Sequence, residues 1–184
     1  PHDSFWCCVG SGMENHTKYG AAIYFHASDA LYVNLFIPSR LRWQEQGLEL
    51  EQRTRYPDDN RTSLTVTKAR AGSLALRVRV PTWATADATL TLNGKTVSVD
   101  TKPGFYATVR REWKKGDVLE VSIPTSVRTE PLHGASDQFA FMYGPVVLAG
   151  VASAARMLAR LPPMRAARPA SAPESMSAST PVTG

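Results

Sequence analysis

Cysteine is nearly absent from this chain: there are two in 184 residues, standing side by side as Cys7-Cys8. That excludes an ordinary disulfide framework, since two cysteines make one bridge at most and adjacent ones close only a small, strained ring. Long apolar runs are missing too. No stretch approaches the ~20 residues that span a bilayer as a helix, so the sequence offers no helical membrane span. Charge of one sign is only modestly in excess, 21 Lys and Arg against 16 Asp and Glu, for a formal net charge of +5. Much of the surplus is Arg156, Arg160, Arg165 and Arg168 against Glu174 near the C-terminus. A nucleic-acid partner needs a basic patch or stripe, and no element carries one, so nucleic acid drops out as a partner. An initiator Met is also lacking. The chain opens at Pro1 in mid-pattern, which reads as a piece of a longer polypeptide.

What is present divides into three stretches. The first, residues 1–29, carries one predicted helix from about Met13 to Phe25. Ser11-Gly12-Met13-Glu14 fits a capping box, with Ser11 as cap and Glu14 reaching back to it. From Ala30 the apolar period becomes two. Leu31, Val33, Leu35 and Ile37 alternate with Tyr32, Asn34 and Phe36, and Leu74, Leu76, Val78 and Val80 alternate with Ala75, Arg77 and Arg79. Asn93-Gly94 between Leu90, Leu92 and Val97, Val99 signals a two-residue hairpin. Lys115-Gly116-Asp117 marks a turn before Val118–Ile123. Further strands are predicted at Leu48–Arg55, Leu64–Lys68, Phe105–Arg110 and Phe139–Leu148. Many short strands with no helix between them predict an antiparallel β-sandwich over residues 30–152. Residues 153–184 are rich in Ala, Pro, Ser and Arg and read as a disordered tail, with room for a short helix around Ala154–Leu161.

Chemistry concentrates at Cys7-Cys8. Two neighbouring thiols can present two thiolates to one soft metal, and a thiolate is itself a nucleophile. Read alone, the pair also fits two inert buried thiols, because free Cys packs as a small hydrophobe. Glu14 has a sufficient role as a cap. His16 lies eight residues beyond Cys8, facing either a site or solvent; His2 is close in sequence, but no spacing motif joins it to them. His26 and His133 read as structural or exposed. Trp43, Trp83 and Trp113 sit at strand ends, where Trp more often plugs a core than forms a sugar-stacking platform. Asn15-His16-Thr17 and Asn60-Arg61-Thr62 match a glycosylation pattern that is common by chance.

Four segments in order then carry a resemblance. Phe5-Trp6-Cys7-Cys8-Val9-Gly10-Ser11-Gly12-Met13-Glu14-Asn15-His16-Thr17-Lys18-Tyr19-Gly20, with Ile23-Tyr24, resembles the Cys-Cys segment of bacterial β-L-arabinofuranosidases of glycoside hydrolase families 127 and 146. Leu76 to Ala84, ending Pro81-Thr82-Trp83, resembles a sandwich strand of that family. Gly104-Phe105-Tyr106 through Arg111-Glu112-Trp113 to Gly116-Asp117 resembles its next block, and Phe141-Met142-Tyr143-Gly144-Pro145 to Gly150 its Tyr-Gly-Pro strand. The resemblance covers about residues 4 to 150.

The resemblance implies an (α/α)6 catalytic barrel followed by β-sandwich domains. Residues 1–29 would then be the last helix of that barrel, with the barrel's N-terminal remainder as a missing partner. It implies retaining hydrolysis of an arabinofuranosyl group of plant cell-wall glycan, with Cys7 as nucleophile and zinc ligand and Cys8 as a second zinc ligand. The third cysteine and both glutamates of the family's zinc and acid/base set lie upstream and are not in this sequence, so the chain alone is expected to be inactive. Ala21-Ala22 stands where the family pattern suggests a glutamate, which puts substrate contact or barrel packing there in doubt. The competing reading is a non-catalytic β-sandwich that binds carbohydrate or braces a partner domain. A stand-alone thiolate–metal module is weaker, since a closed zinc site normally has four ligands.

Overall fold

The structure is a computed structural model that describes residues 7–150, apart from the side chains of residues 7–9, 135 and 136. His2, the predicted tail and its short helix lie outside the described residues. One helix, α1 (Cys7–Ala22), leads into thirteen strands: β1 (Tyr24–Ala27), β2 (Ala30–Val33), β3 (Ser39–Trp43), β4 (Leu48–Thr54), β5 (Arg61–Lys68), β6 (Ser73–Arg79), β7 (Thr89–Leu92), β8 (Lys95–Thr96), β9 (Tyr106–Glu112), β10 (Val118–Ser122), β11 (Val127–Leu132), β12 (Ala135–Tyr143) and β13 (Val146–Val147). They form a four-stranded sheet, β1-β2-β6-β9, a six-stranded sheet, β3-β4-β5-β10-β7-β8, and a three-stranded sheet, β11-β12-β13. The protein is mainly β, and its pairings are antiparallel except for β2 with β6. That exception arises because the chain crosses to the second sheet for β3 to β5 before returning.

The core lies between the first two sheets and is built by alternation. Leu31 and Val33, Leu76 and Val78, and Ala107 and Val109 face inward from the first sheet; Leu50, Leu64, Val66, Leu90, Leu119 and Val121 face them from the second. Each such Leu or Val stabilises the fold by about 1.5–3 kcal/mol through burial. Trp43 and Trp113 are buried at the rim, and Trp113 Nε1 donates to the Leu74 carbonyl at 2.9 Å. The core reading of those two holds. Trp83 is half-buried and stacks on Tyr56, with centroids 5.7 Å apart and planes at 17°.

Several elements depart from the sequence pattern. The alternation from Leu31 to Ile37 predicts one strand, yet β2 stops at Val33. Beyond it the backbone is diverted: Asn34 and Leu35 N–H donate to the Ile23 carbonyl, and buried Gln52 takes the Leu35 and Ile37 carbonyls at 3.0 and 2.7 Å. Gln52 sits in the inward register of β4 after Leu48 and Leu50, so a polar side chain replaces a strand ladder there. The Asn93-Gly94 hairpin forms as predicted. Both residues have positive φ, 51° and 79°, the signature of a type I′ turn. The stretch Phe139–Leu148 is not one strand but a hairpin, because Gly144 (φ 56°) turns the chain before β13. The third sheet adds nothing to the main core. Its hairpin tip docks instead, with Gly144 buried against Thr125, Tyr56 and Trp83.

Candidate functional site around helix α1

The two cysteines are the first residues of α1. This corrects the predicted start at Met13: Ser11 and Glu14 lie inside the helix, so the capping box does not form. Ser11-x-x-Glu14 is a pattern of local sequence alone and reads the same inside a helix as at its start, while Cys7-Cys8-Val9-Gly10, all poor helix formers, gives no local signal of the earlier start. The end is corrected as well. α1 stops at Ala22 and Tyr24–Ala27 is a strand, since Ile23 turns inward and is buried in the core. The helix places Cys7 and Cys8 in its first turn, where unpaired backbone N–H groups and the positive end of the dipole favour a thiolate. No acidic residue in that turn offsets the effect.

From Ser11 to Ala21 every residue of α1 is exposed, with Met13 at 72 %. No sheet covers this face among the described residues. His16 packs edge-on against Tyr19 at 5.7 Å, and Asn15 Nδ2 donates to the Tyr19 hydroxyl at 3.0 Å. Ala21, where a glutamate was the expected residue, is exposed. His26 is exposed with its ring 5.0 Å from Trp43, and His133 is exposed. Among the described residues, no three His, Cys, Asp or Glu side chains gather closely enough to hold a metal. Nor does any described helix have the length and apolarity to cross a membrane.

The C-terminal end of α1 holds a network that the sequence did not reveal. The last turn contains no basic residue, and no glycine follows it. Asn34 supplies the missing donor instead: its Nδ2 donates to the Ala22 carbonyl at 3.2 Å, while its backbone N–H donates to the Ile23 carbonyl at 2.9 Å. The Tyr106 hydroxyl, on β9, donates to Asn34 Oδ1 at 3.0 Å. Tyr106 meets Tyr32 edge to face at 5.3 Å, and the Arg77 guanidinium covers the Tyr32 ring and donates to its hydroxyl. Asn34, Tyr106, Tyr32 and Arg77 thus share the outer face of the first sheet. Period-two alternation puts Tyr32 and Arg77 on that face, but nothing in it couples them to the helix.

Comparison with known proteins then decides the family. Residues 30–125 match the family model of the GH127 β-L-arabinofuranosidase middle domain. The chain belongs to this family. The GH127 match spans nearly the whole two-sheet body, from Ala30 to just past Ile123, and leaves α1 and the third sheet outside. A non-reducing end β-L-arabinofuranosidase from Bifidobacterium longum subsp. longum is 31% identical over 110 residues, covering 55% of this chain and 16% of that protein. A solved glycoside hydrolase has a TM-score of 0.69 at 31% identity, over 78% of this chain and 25% of that one. A GH127 β-L-arabinofuranosidase from Geobacillus stearothermophilus T6 has a TM-score of 0.66 at 30% identity, over 77% of this chain and 23% of that one. The chain therefore spans about a sixth of the curated relative and about a quarter of the solved structures it resembles.

Proposed function

We propose that this GH127 segment is part of a retaining, zinc-dependent β-L-arabinofuranosidase in which Cys7 is the nucleophile and, with Cys8, a zinc ligand. The supporting observation is the adjacent thiol pair in the first turn of a helix that feeds directly into the family's middle domain. In this reading α1 is the last helix of an (α/α)6 barrel, and the sandwich that supports it begins with β1 (Tyr24–Ala27) rather than at residue 30.

The donor set fits a soft divalent metal in kind but not in number. Two thiolates are half of a four-ligand shell, and the chain has no third cysteine. The remaining donors and the acid/base carboxyl come from outside these residues. Bound zinc would supply a lowered thiol pKa, keeping Cys7 ionised at neutral pH. The Cys7 thiolate forms a bond to the anomeric carbon as the glycosidic C–O bond breaks, and a carboxylic acid protonates the departing oxygen. Water, deprotonated by the resulting carboxylate, then attacks the same carbon and releases the thiolate. The substrate in this reading is a terminal β-L-arabinofuranosyl group of plant cell-wall glycan.

The test compares the 184-residue chain with a form extended by its upstream coding sequence, both assayed on an aryl β-L-arabinofuranoside. The chain alone gives no turnover, and the extended form turns over. In that form Cys7→Ser lowers kcat by at least ~10³. Wild-type kcat in Cys7→Ser sinks the nucleophile assignment. Turnover by the chain alone shows instead that the segment is self-sufficient. The exposed face of α1 favours a second reading, a module that braces a neighbouring domain without catalysing anything. An extended form with no glycosidase activity would support it.

A further inference from the structure

A helix ends with up to four carbonyls lacking intrahelical donors, and these are usually met by a following glycine turn, a basic side chain or water. α1 is followed by Ile23 rather than a glycine, and its last turn has no basic side chain. A residue twelve positions away in sequence provides the donor, and it does so from the sandwich. Asn34 is suited to this because its amide donates on one side and accepts on the other. The donor goes to the helix (Ala22 carbonyl, 3.2 Å), and the acceptor takes the Tyr106 hydroxyl (3.0 Å). The Tyr106 bond therefore sets which way the amide faces. Tyr106 is in turn braced edge-on by Tyr32 under the Arg77 guanidinium. With Ile23 buried as the adjacent anchor, the end of the helix is tied at a side chain, a backbone carbonyl and an apolar plug.

We propose that Asn34 is a positioning residue that fixes the direction in which the cysteine-bearing helix leaves the sandwich, with Tyr106 orienting its amide. Its consequence for catalysis rests on the reading of Cys7 given above; the clamp itself does not. The lever arm gives the clamp its importance. Fifteen residues at 1.5 Å rise separate Cys7 from Ala22, roughly 22 Å, so a tilt of about 5° at the clamp moves Cys7 by about 2 Å. A displacement of about 1 Å at a reacting group can cost on the order of a hundredfold in rate.

Asn34→Asp separates the two halves of the clamp. A carboxylate still accepts from Tyr106 but cannot donate to Ala22, and its charge opposes the negative end of the helix dipole. The experiment measures spin-label distances in this chain between Lys18→Cys, in the last turns of α1, and Thr108→Cys, exposed on β9, with Cys7 and Cys8 replaced by serine. The parent should give a narrow distribution. Asn34→Asp should broaden it at least twofold, and Tyr106→Phe should broaden it less, while the thermal unfolding midpoint of the sandwich stays put. Glu112→Ala, exposed on the same face of β9 but at the opposite end of the strand from Tyr106, should leave it unchanged. The proposal is overturned if Asn34→Asp leaves the parent width, if the parent is already as broad as Asn34→Asp, or if Glu112→Ala broadens it equally. Activity of Cys7→Ser does not enter this readout, so a failed clamp and a failed nucleophile assignment give different results.

Discussion

At the scale of single residues, Asp117 ties the turn before β10 to the hairpin beside it. Its carboxylate accepts from Asn93 Nδ2 and from the Lys114 N–H, both at 2.9 Å, and faces Arg111 at 3.6 Å. Burial alone would push this carboxyl up. The hydrogen bonds from Asn93 and Lys114, with the Arg111 and Lys114 charges, outweigh that and hold it below its ordinary value. A carboxyl whose folded pKa is depressed stabilises the fold above its unfolded pKa, near 4, and loses that contribution as pH falls through the folded value. We expect Asp117→Asn to lower stability by about 1–3 kcal/mol at pH 7 and to flatten the decline in unfolding midpoint below about pH 4. A variant with the parent's acid decline would contradict this role. Trp113 makes a second residue-scale case. It is 3% exposed and donates to Leu74, so Trp113→Ala should cost about 3–5 kcal/mol in urea unfolding.

At the scale of elements, the third sheet depends on Gly144. A Cβ there would lie 3.3 Å from Thr125 Cγ2 and from the Tyr56 hydroxyl, on a backbone with φ of 56°. The Arg128 guanidinium donates to the Gly144 carbonyl from β11, so the tip is held from both sides. Gly144→Val should undock the hairpin while leaving the two-sheet core intact. The readout is limited proteolysis: cleavage near residues 124–127 should speed up, with the unfolding midpoint of the sandwich unchanged. Equal cleavage rates would show that the dock is not what holds the sheet. Gly94→Ala gives a contrast. It forces a positive φ of 79° on alanine with open space around the Cβ, so it should cost about 1–2 kcal/mol through backbone strain alone.

At the scale of the whole molecule, two surfaces stand exposed among the described residues. One is α1. The other is one face of the third sheet, where Val127, Phe139, Phe141, Tyr143, Val146 and Leu148 share a register and are all exposed, Phe141 at 51 %. Contiguous apolar faces of this kind promote association. Replacing Phe139 and Phe141 with lysine should reduce hydrophobic-dye fluorescence and sedimentation-detected oligomers, with less than about 0.5 kcal/mol change in core stability. Unchanged dye binding would locate the sticky surface elsewhere. Ile23 and Tyr24, at the end of the predicted helix, do not belong to such a surface. Ile23 is in the core, and half-buried Tyr24 bonds Ser39 at 3.0 Å.

The sequence alone determined the all-β class, most strand positions, the I′ hairpin and the family motifs. These are local: a period of two and an Asn-Gly pair state their own geometry wherever they occur. It also singled out Cys7-Cys8, because rare adjacent thiols stand out without any fold. Local pattern misplaced both ends of α1. A Ser-x-x-Glu looks the same inside a helix as at its cap, and the helix stops where the core claims Ile23. Only the tertiary structure decided that β2 runs parallel to β6, that Gln52 and Ile23 end the second strand early, and that Asn34, Tyr106, Tyr32 and Arg77 meet at the root of the helix. Those outcomes join residues up to 72 positions apart. Periodicity reports which face a residue takes; which partner it meets there depends on how the sheets close over the core.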